Sequence, residues 1–234
     1  MKPAVFIPTL NEIEGMRVIL PQIKREWCHQ IIVVDGGSTD GTYEFAKASG
    51  CQTILQKSKG VRGAYVEALP HITADIVIPF SPDGNCIPEV IPQLAEKMKE
   101  GYDMVIASRY ADGAKSADDD ALTGFGNWMF TRLINFLYGG RYTDTMGMYR
   151  AWKKELFTRL DLDKDESFAP EKLVGVTGIG IDPLLSIRCL KRKLKVAEIP
   201  ASEPKRLGGV RKMLPFRWGS IILMQVFREL YYWR

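Results

Sequence analysis

The sequence predicts an α/β fold: a mostly parallel twisted sheet flanked by helices, in a single domain with a C-terminal helical tail. Three observations predict it. Short β-branched runs, such as AVFIP from Ala4, IIVVD from Ile31 and ADIVIPF from Ala74, alternate with longer stretches of helical periodicity. That spacing belongs to strand–helix–strand units whose sheet is covered on both faces. The strand ends carry polar turns, PTLNE, DGGSTDGT, SPDGN and SRY, and in such sheets ligands sit beyond the carboxyl ends of the strands. The chain has 234 residues, 46% of them hydrophobic, enough for one large domain or two small ones.

The elements follow in order. AVFIP, Ala4 to Pro8, reads as the first strand, and residues from Ile13 to Glu26 as a helix. IIVVD is the second strand; Thr39 or Asp40 caps the helix that runs through Ala48. CQTIL is the third strand, a helix spans Val61 to Leu69, and ADIVIPF is the fourth strand. Pro88 suits the first turn of the next helix, to Lys99. DMVIAS from Asp103 is the fifth strand. The second half is less regular. Asn127 to Tyr138 reads as an amphipathic helix, MGMYRAW as a strand, Asp182 to Lys191 as a helix and LKVAEIP as a strand. In the tail, Ile222, Leu223, Val226, Phe227, Leu230 and Trp233 form one apolar stripe, with Arg217, Gln225, Arg228 and Glu229 opposite. Core packing is the default for such a stripe. An interfacial membrane helix is the sharper alternative, favoured by the nearby basic cluster and the terminal Tyr231, Tyr232, Trp233 and Arg234.

Composition excludes several function classes. Cys28, Cys51, Cys86 and Cys189 lie far apart with no CxxC, which argues for a reducing compartment and against a zinc site. His29 and His71 are the only histidines, so histidine-based metal or triad chemistry is not expected. Pro8, Asn11 and Glu12 interrupt the first apolar run, which argues against a secretory leader. No apolar run reaches the roughly 18 residues of a membrane span. The expected place is cytoplasmic, with peripheral contact at the cytoplasmic membrane face as an option. Net charge is +4; basic residues crowd between Lys191 and Arg217, and acidic runs stand at Asp118–Asp120 and at DLDKDE from Asp161. Each run reads first as a solvated face. So mild a net charge with an acidic middle argues against a nucleic-acid role.

Each polar strand-end turn alone is explained by capping and turn chemistry. Four at one sheet edge point to a site. Together these motifs resemble glycosyltransferase family 2, with the GT-A (Rossmann-like) fold, and within it the polyprenyl-phosphate glycosyltransferases of the dolichol-phosphate mannose synthase type. The resemblance runs from IPTLNE at Ile7 to GGVRK at Gly208. It implies a GT-A domain over residues 1–212, with a nucleotide-binding half (1–110) and an acceptor half with a closing loop (111–212). Residues 213–234 form the amphipathic C-terminal helix.

The resemblance also implies roles. Pro8, Thr9, Asn11, Glu12 and Asp35 would hold the nucleotide base and ribose; Gly36 stands where relatives have a second acid. Ser81, Asp83 and Asn85 align with the family's Asp-x-Asp-x-Gln type motif, so Ser81 and Asp83 would face the nucleotide, and Asp83 and Asn85 a metal. Oxygen ligands suit Mg²⁺ or Mn²⁺, with substrate phosphates completing the shell. One carboxylate holds such an ion weakly, so the ion would arrive with the donor. Arg109 in ASRY matches an Arg near the phosphates. Asp144 and Gly147 resemble the family's Asp…Gly-Phe segment, with Met146 and Met148 as departures, and Asp182 stands at an acidic position. RLGGVRK fits a closing loop through Arg206, Gly209 and Lys212, with Arg211 in a Ser place.

The expected activity is therefore a metal-dependent inverting glycosyltransferase moving a sugar from a nucleotide-sugar donor to a polyprenyl-phosphate-type lipid. Asp83, Arg109 and Asp182 are the candidate catalytic residues. A phosphate acceptor needs no strong base, whereas a hydroxyl acceptor would need a carboxylate, Asp182 or Asp144. One departure bears on the acceptor. Relatives carry an Arg about a dozen residues after Ser-Arg-Tyr, where this chain has KSADDDALTGFGN, and acids there repel a phosphate unless they face away. A soluble or glycan hydroxyl acceptor is thus the alternative. A non-catalytic sugar-nucleotide-binding protein and a sugar-phosphate nucleotidyltransferase are weaker ones; the latter usually has a Gly-rich basic loop that PTLNEIEG lacks.

Overall fold

The computed structural model describes residues 2–175, 181–207 and 214–233. In chain order the elements are β1 (Ala4–Thr9), α1 (Ile13–Ile19), β2 (Gln30–Asp35), α2 (Thr42–Ala48), β3 (Gln52–Leu55), α3 (Gly60–Ala68) and β4 (Ile76–Pro79). They continue with α4 (Val90–Met98), β5 (Met104–Ser108), α5 (Ala121–Tyr138), β6 (Arg150–Lys153), α6 (Leu156–Arg159), α7 (Ala169–Val174), α8 (Ile181–Lys191), β7 (Val196–Pro200) and α9 (Pro215–Arg228). The strands form one sheet in the order β3-β2-β1-β4-β6-β5-β7. Only β6 runs antiparallel, to β4 and β5; the remaining pairs are parallel.

Burial on both faces explains the continuous apolar runs. Side chains alternate along a strand, so Ala4 and Phe6 enter one layer with Tyr65, Trp152, Phe157 and Leu185. Val5 and Ile7 enter the opposite layer with Met16, Val33, Ile91 and Leu94. A third cluster joins Phe130 and Ile134 of α5 to Ile187 of α8 and to Ile221, Ile222 and Val226 of α9.

Several boundaries depart from the sequence expectation. The helix expected over 13–26 ends at Ile19, and 3₁₀ turns follow at Leu20–Gln22 and Arg25–Trp27. Pro21 supplies no N–H to continue an α-helix and its ring clashes with the turn before it. Helix α5 starts six residues before Asn127, because Asp120 and Thr123 form a reciprocal capping box. Of MGMYRAW only the last three residues, from Arg150, are strand, and β6 runs on to Lys153; the short helices α6 and α7 carry no strong sequence signal.

The tail helix packs on the core with Ile222, Val226 and Trp233 of the expected stripe buried, but its inward face is rotated from the one expected. Gln225 and Glu229 are buried, while Leu223 and Phe227 are 41% and 48% exposed. The reason is Arg188, fully buried on α8, whose guanidinium donates to both carboxylate oxygens of Glu229 at 3.0 and 2.9 Å. A buried cation needs its counter-charge, and that requirement turns α9 so that Glu229 faces inward.

Candidate active site

Four loops meet at the carboxyl edge of the sheet. After β1, Asn11 adopts a left-handed backbone (φ +54°). Its N–H donates to Ser38 Oγ at 2.8 Å and its Oδ1 accepts from Thr39 N at 2.9 Å. The Glu12 N–H donates to Thr42 Oγ1 and the Ile13 N–H to Asp40 Oδ2, each at 3.1 Å. Asp40 thus holds the start of α2 and the PTLNE turn at once. Asp35, fully buried, accepts from the N–H groups of Gly37 and Ser38 (2.9 and 2.7 Å) and from Ser38 Oγ (2.6 Å). Asn11 and Asp35 therefore shape this rim by tying its two loops together. Beside them Pro8 is half-buried, and the Thr9 hydroxyl is buried without a hydrogen-bond partner.

The turn after β4 is built around Asp83. Its Oδ1 accepts from Asn85 N at 3.1 Å, Ser81 N–H points at Cys86 Sγ, and Gly84 takes φ +93°. Gly15 of α1 lies against this turn: a Cβ there would stand 2.2 Å from Pro82 O. The loop after β7 folds back over it. Leu207 N donates to Asp83 O at 2.7 Å, and Arg206 Nη2 lies 3.3 Å from Asp83 Oδ2 and 3.8 Å from Asp118 Oδ2. Asn85 Nδ2 donates to the same Asp118 oxygen at 3.2 Å. Two polar atoms here are buried without partners: the acceptor Asn85 Oδ1 and the donor Arg206 Nε.

The third group lies behind β5. Arg109 donates Nε and Nη2 to Asp144 at 2.7 and 3.0 Å, and Nη1 reaches Glu203 Oε2 at 3.4 Å. Its two-pronged edge, expected to meet phosphate, is engaged by a carboxylate in this conformation. Burial opposes ionisation of Asp144, yet Arg109 and the Met146 and Gly147 N–H groups prevail and lower its pKa to about 2. Asp182 behaves oppositely. Burial raises its pKa to about 6; Arg150, 3.5 Å away, opposes the rise, and Asp144 reinforces it. Arg150 is fully buried, donating also to Gly147 O at 2.9 Å and Ser186 Oγ at 3.0 Å.

The acidic segment divides in three. Asp118 joins the Asp83 turn. Asp119 accepts from Tyr110 OH and from Asn127 Nδ2, and Asp120 caps α5. Expected site residues Arg211 and Lys212 lie outside the described residues. Sequence reasoning missed Asp118, Glu203, Gly15 and Arg150. The first two reach the site from separate loops, and no local pattern marks them.

A divalent cation fits this donor set in kind. Asp83, Asp118 and the unpartnered Asn85 Oδ1 are hard oxygen donors, and a guanidinium already stands between the two carboxylates. Among the described residues no three acidic, thiol or imidazole groups converge, so phosphate oxygens or water must complete the shell.

Comparison with known proteins agrees with this architecture. The family model described as Glycosyl transferase family 2 matches residues 4–161, from β1 through α6. A curated relative, Glycosyltransferase AglJ of Haloferax volcanii, is 30% identical over 96% of this chain and 71% of its own length. A second from the same organism, a Dolichyl-phosphate hexose transferase, is 28% identical over 94% of this chain and 90% of its own. Among solved structures, glucosyl-3-phosphoglycerate synthase from Mycobacterium tuberculosis, in complex with Mn²⁺, UDP and phosphoglyceric acid, superposes with a TM-score of 0.68 at 23% identity. The match covers 98% of this chain and 77% of that one, and it carries the GT-A fold.

Proposed function

This chain belongs to glycosyl transferase family 2 and is a glycosyltransferase, and from that premise we propose that it moves a sugar, with inversion, from a nucleoside-diphosphate donor to a polyprenyl-phosphate-type lipid. The observation that carries the donor side is the pair of orphaned atoms at one turn. Asn85 Oδ1 is an acceptor lacking a cation, and Arg206 Nε is a donor lacking an anion. Buried polar groups are rarely left unpaired, and a metal–diphosphate satisfies both.

Asp83 and Asn85 would hold Mg²⁺ or Mn²⁺, which when bound neutralises charge building on the leaving diphosphate. Arg206 would then turn from Asp83 to the phosphates, and Arg211 and Lys212, close in sequence, would add charge. The PTLNE and DGGST loops form the rim for the nucleoside, with Thr9 Oγ1 a free hydrogen-bonding group. The acceptor oxygen forms its bond to the anomeric carbon on the face opposite the breaking bond, and the electron pair leaves with the nucleoside diphosphate. An ionised phosphate acceptor needs no base for this step. Arg109, with Asp144 and Glu203 beside it, would turn its Nη1 edge to that phosphate.

The lipid acceptor draws support from the helices next to the site. On α5 and α9, Phe136 and Phe216 stand 84% and 81% exposed, with Phe125, Trp128, Leu223 and Phe227 also exposed. Neither helix contains an acid, and Arg132 and Arg217 flank the aromatic side chains. Apolar and basic groups together suit the interface of an anionic membrane. No helix among the described residues is long and apolar enough to cross one.

A second reading, transfer to a hydroxyl, is favoured by Asp182, whose raised pKa of about 6 suits a general base. Donor consumption separates the two. Thermal shift against UDP-, GDP-, CDP- and dTDP-sugars with and without Mn²⁺ identifies the donor. Turnover is then followed with a polyprenyl phosphate and with soluble sugars. Metal-dependent binding of one nucleotide and transfer to the lipid phosphate is the expected result. Transfer only to hydroxyls overturns the lipid reading, and no nucleotide binding overturns the donor site.

A further inference from the structure

The Asp-x-Asn turn brings a single carboxylate, Asp83, to the donor site. A second reaches it from the segment before α5. Asp118 Oδ2 accepts from Asn85 Nδ2 at 3.2 Å and lies 3.8 Å from Arg206 Nη2, and Asp118 Oδ1 accepts from Arg206 N at 3.4 Å. Arg206 Nη2 is also 3.3 Å from Asp83 Oδ2. A guanidinium therefore bridges carboxylates that are 35 residues apart in sequence, and the buried Asn85 Oδ1 beside them has no partner. Burying two carboxylates together without a cation is unfavourable. Here the cation in place is a side chain on the loop that folds over the turn.

We infer that Asp118 is a metal ligand in its own right, completing a set of two carboxylates and one amide oxygen, and that Arg206 occupies the cation position until the metal displaces it. The inference rests on the donor-site reading above and changes one consequence of it. With one carboxylate the ion would have to arrive with the nucleotide. With two, the protein binds a divalent ion unaided, and ligand charge count sets its affinity. Loss of Arg206 from the turn frees its Nη2 beside the already unpartnered Nε for the incoming diphosphate, so metal entry and phosphate capture are coupled through one side chain.

The test uses the nucleotide-free full chain and Mn²⁺ alone, with free Mn²⁺ read by its electron paramagnetic resonance signal. The wild type is expected to bind Mn²⁺, and Asp118→Asn and Asp118→Ser to weaken that binding by at least about tenfold. Arg206→Gln is expected to tighten binding by removing the competing cation, and adding Asp118→Asn in that background should weaken it again, which a role exerted only through Arg206 would not produce. No Mn²⁺ binding by the wild type, or unchanged binding in both Asp118 variants while Asp83→Asn loses it, overturns the inference. Unchanged binding in Asp83→Asn as well overturns the donor-site reading itself. Fe²⁺/ascorbate/peroxide cleavage of the wild type needs no variant to fold. Cuts at both the 83–85 turn and the 116–119 segment are expected, and cuts at the turn alone refute Asp118 as a ligand.

Discussion

Removing Glu229 tests how the C-terminal helix is held. Its two oxygens receive Arg188 Nε and Nη2 at 3.0 and 2.9 Å, and Gln225 Nε2 at 3.0 Å. Arg188 Nη1 donates to Leu160 O, Asp161 O and Ser167 Oγ, and the guanidinium lies 4.8 Å from the Trp233 ring centre. Both charged groups are fully buried. Glu229→Ala therefore strands a buried cation, a loss of about 3–5 kcal/mol. At 2–4 °C per kcal/mol for a chain of this size, the Tm should fall by roughly 10 °C. The double variant Arg188→Met/Glu229→Leu should recover most of that loss, because apolar side chains of similar volume often replace buried pairs at little cost. Urea unfolding followed by far-UV circular dichroism gives the change in midpoint at constant slope. A loss below about 1 kcal/mol, the level of an exposed ion pair, would refute the reasoning and leave α9 free to lie elsewhere, such as flat on lipid.

Other substitutions address the site. Asp83→Ala should abolish metal-dependent nucleotide binding and turnover while leaving far-UV dichroism unchanged; wild-type turnover in that variant removes Asp83 from the mechanism. Gly15→Ala puts a methyl 2.2 Å from the Pro82 carbonyl, a backbone atom that cannot swing away, so nucleotide–Mn²⁺ affinity should drop with the helix content retained; unaltered affinity would mean the turn tolerates displacement. Asp144, lowered to about 2, contributes stability that is fully present above its unfolded pKa of ~3.9 and is lost as pH falls from there through the folded value. Asp182, raised to about 6, contributes most below ~3.9, and its contribution is lost as pH rises through the folded value. Asp182→Asn should flatten the decline in unfolding free energy between about pH 4 and 6, and curves that stay parallel to wild type there would contradict the assignment. Phe125→Ser/Trp128→Ser should reduce co-sedimentation with anionic vesicles without loss of soluble-donor binding; equal sedimentation would exclude this face as the lipid contact.

Strand polarity, helix periodicity and turn chemistry are local properties, and they were enough to read β1 to β5 and the presence, though not the ends, of the helices between them. The place of Asp83, in a Gly-containing turn at the end of an apolar strand, was legible for the same reason. The antiparallel β6 was not, since a four-residue strand has no signal of direction. Nor could the chain order alone say how the three acids before α5 divide. Asp120 caps a helix, Asp119 binds Tyr110 and Asn127, and only Asp118 reaches Asn85 and Arg206. The tail was read only in part for the same reason: Ile222, Val226 and Trp233 of its stripe are buried, Leu223 and Phe227 are not. Its periodicity was correct, but Arg188 on another helix decided that Gln225 and Glu229 face inward. Most strands and helices could be read from the sequence, because their formation depends on neighbours in the chain. Tertiary structure alone decided which charges meet, because pairing energies depend on distance and burial between residues that the chain places far apart.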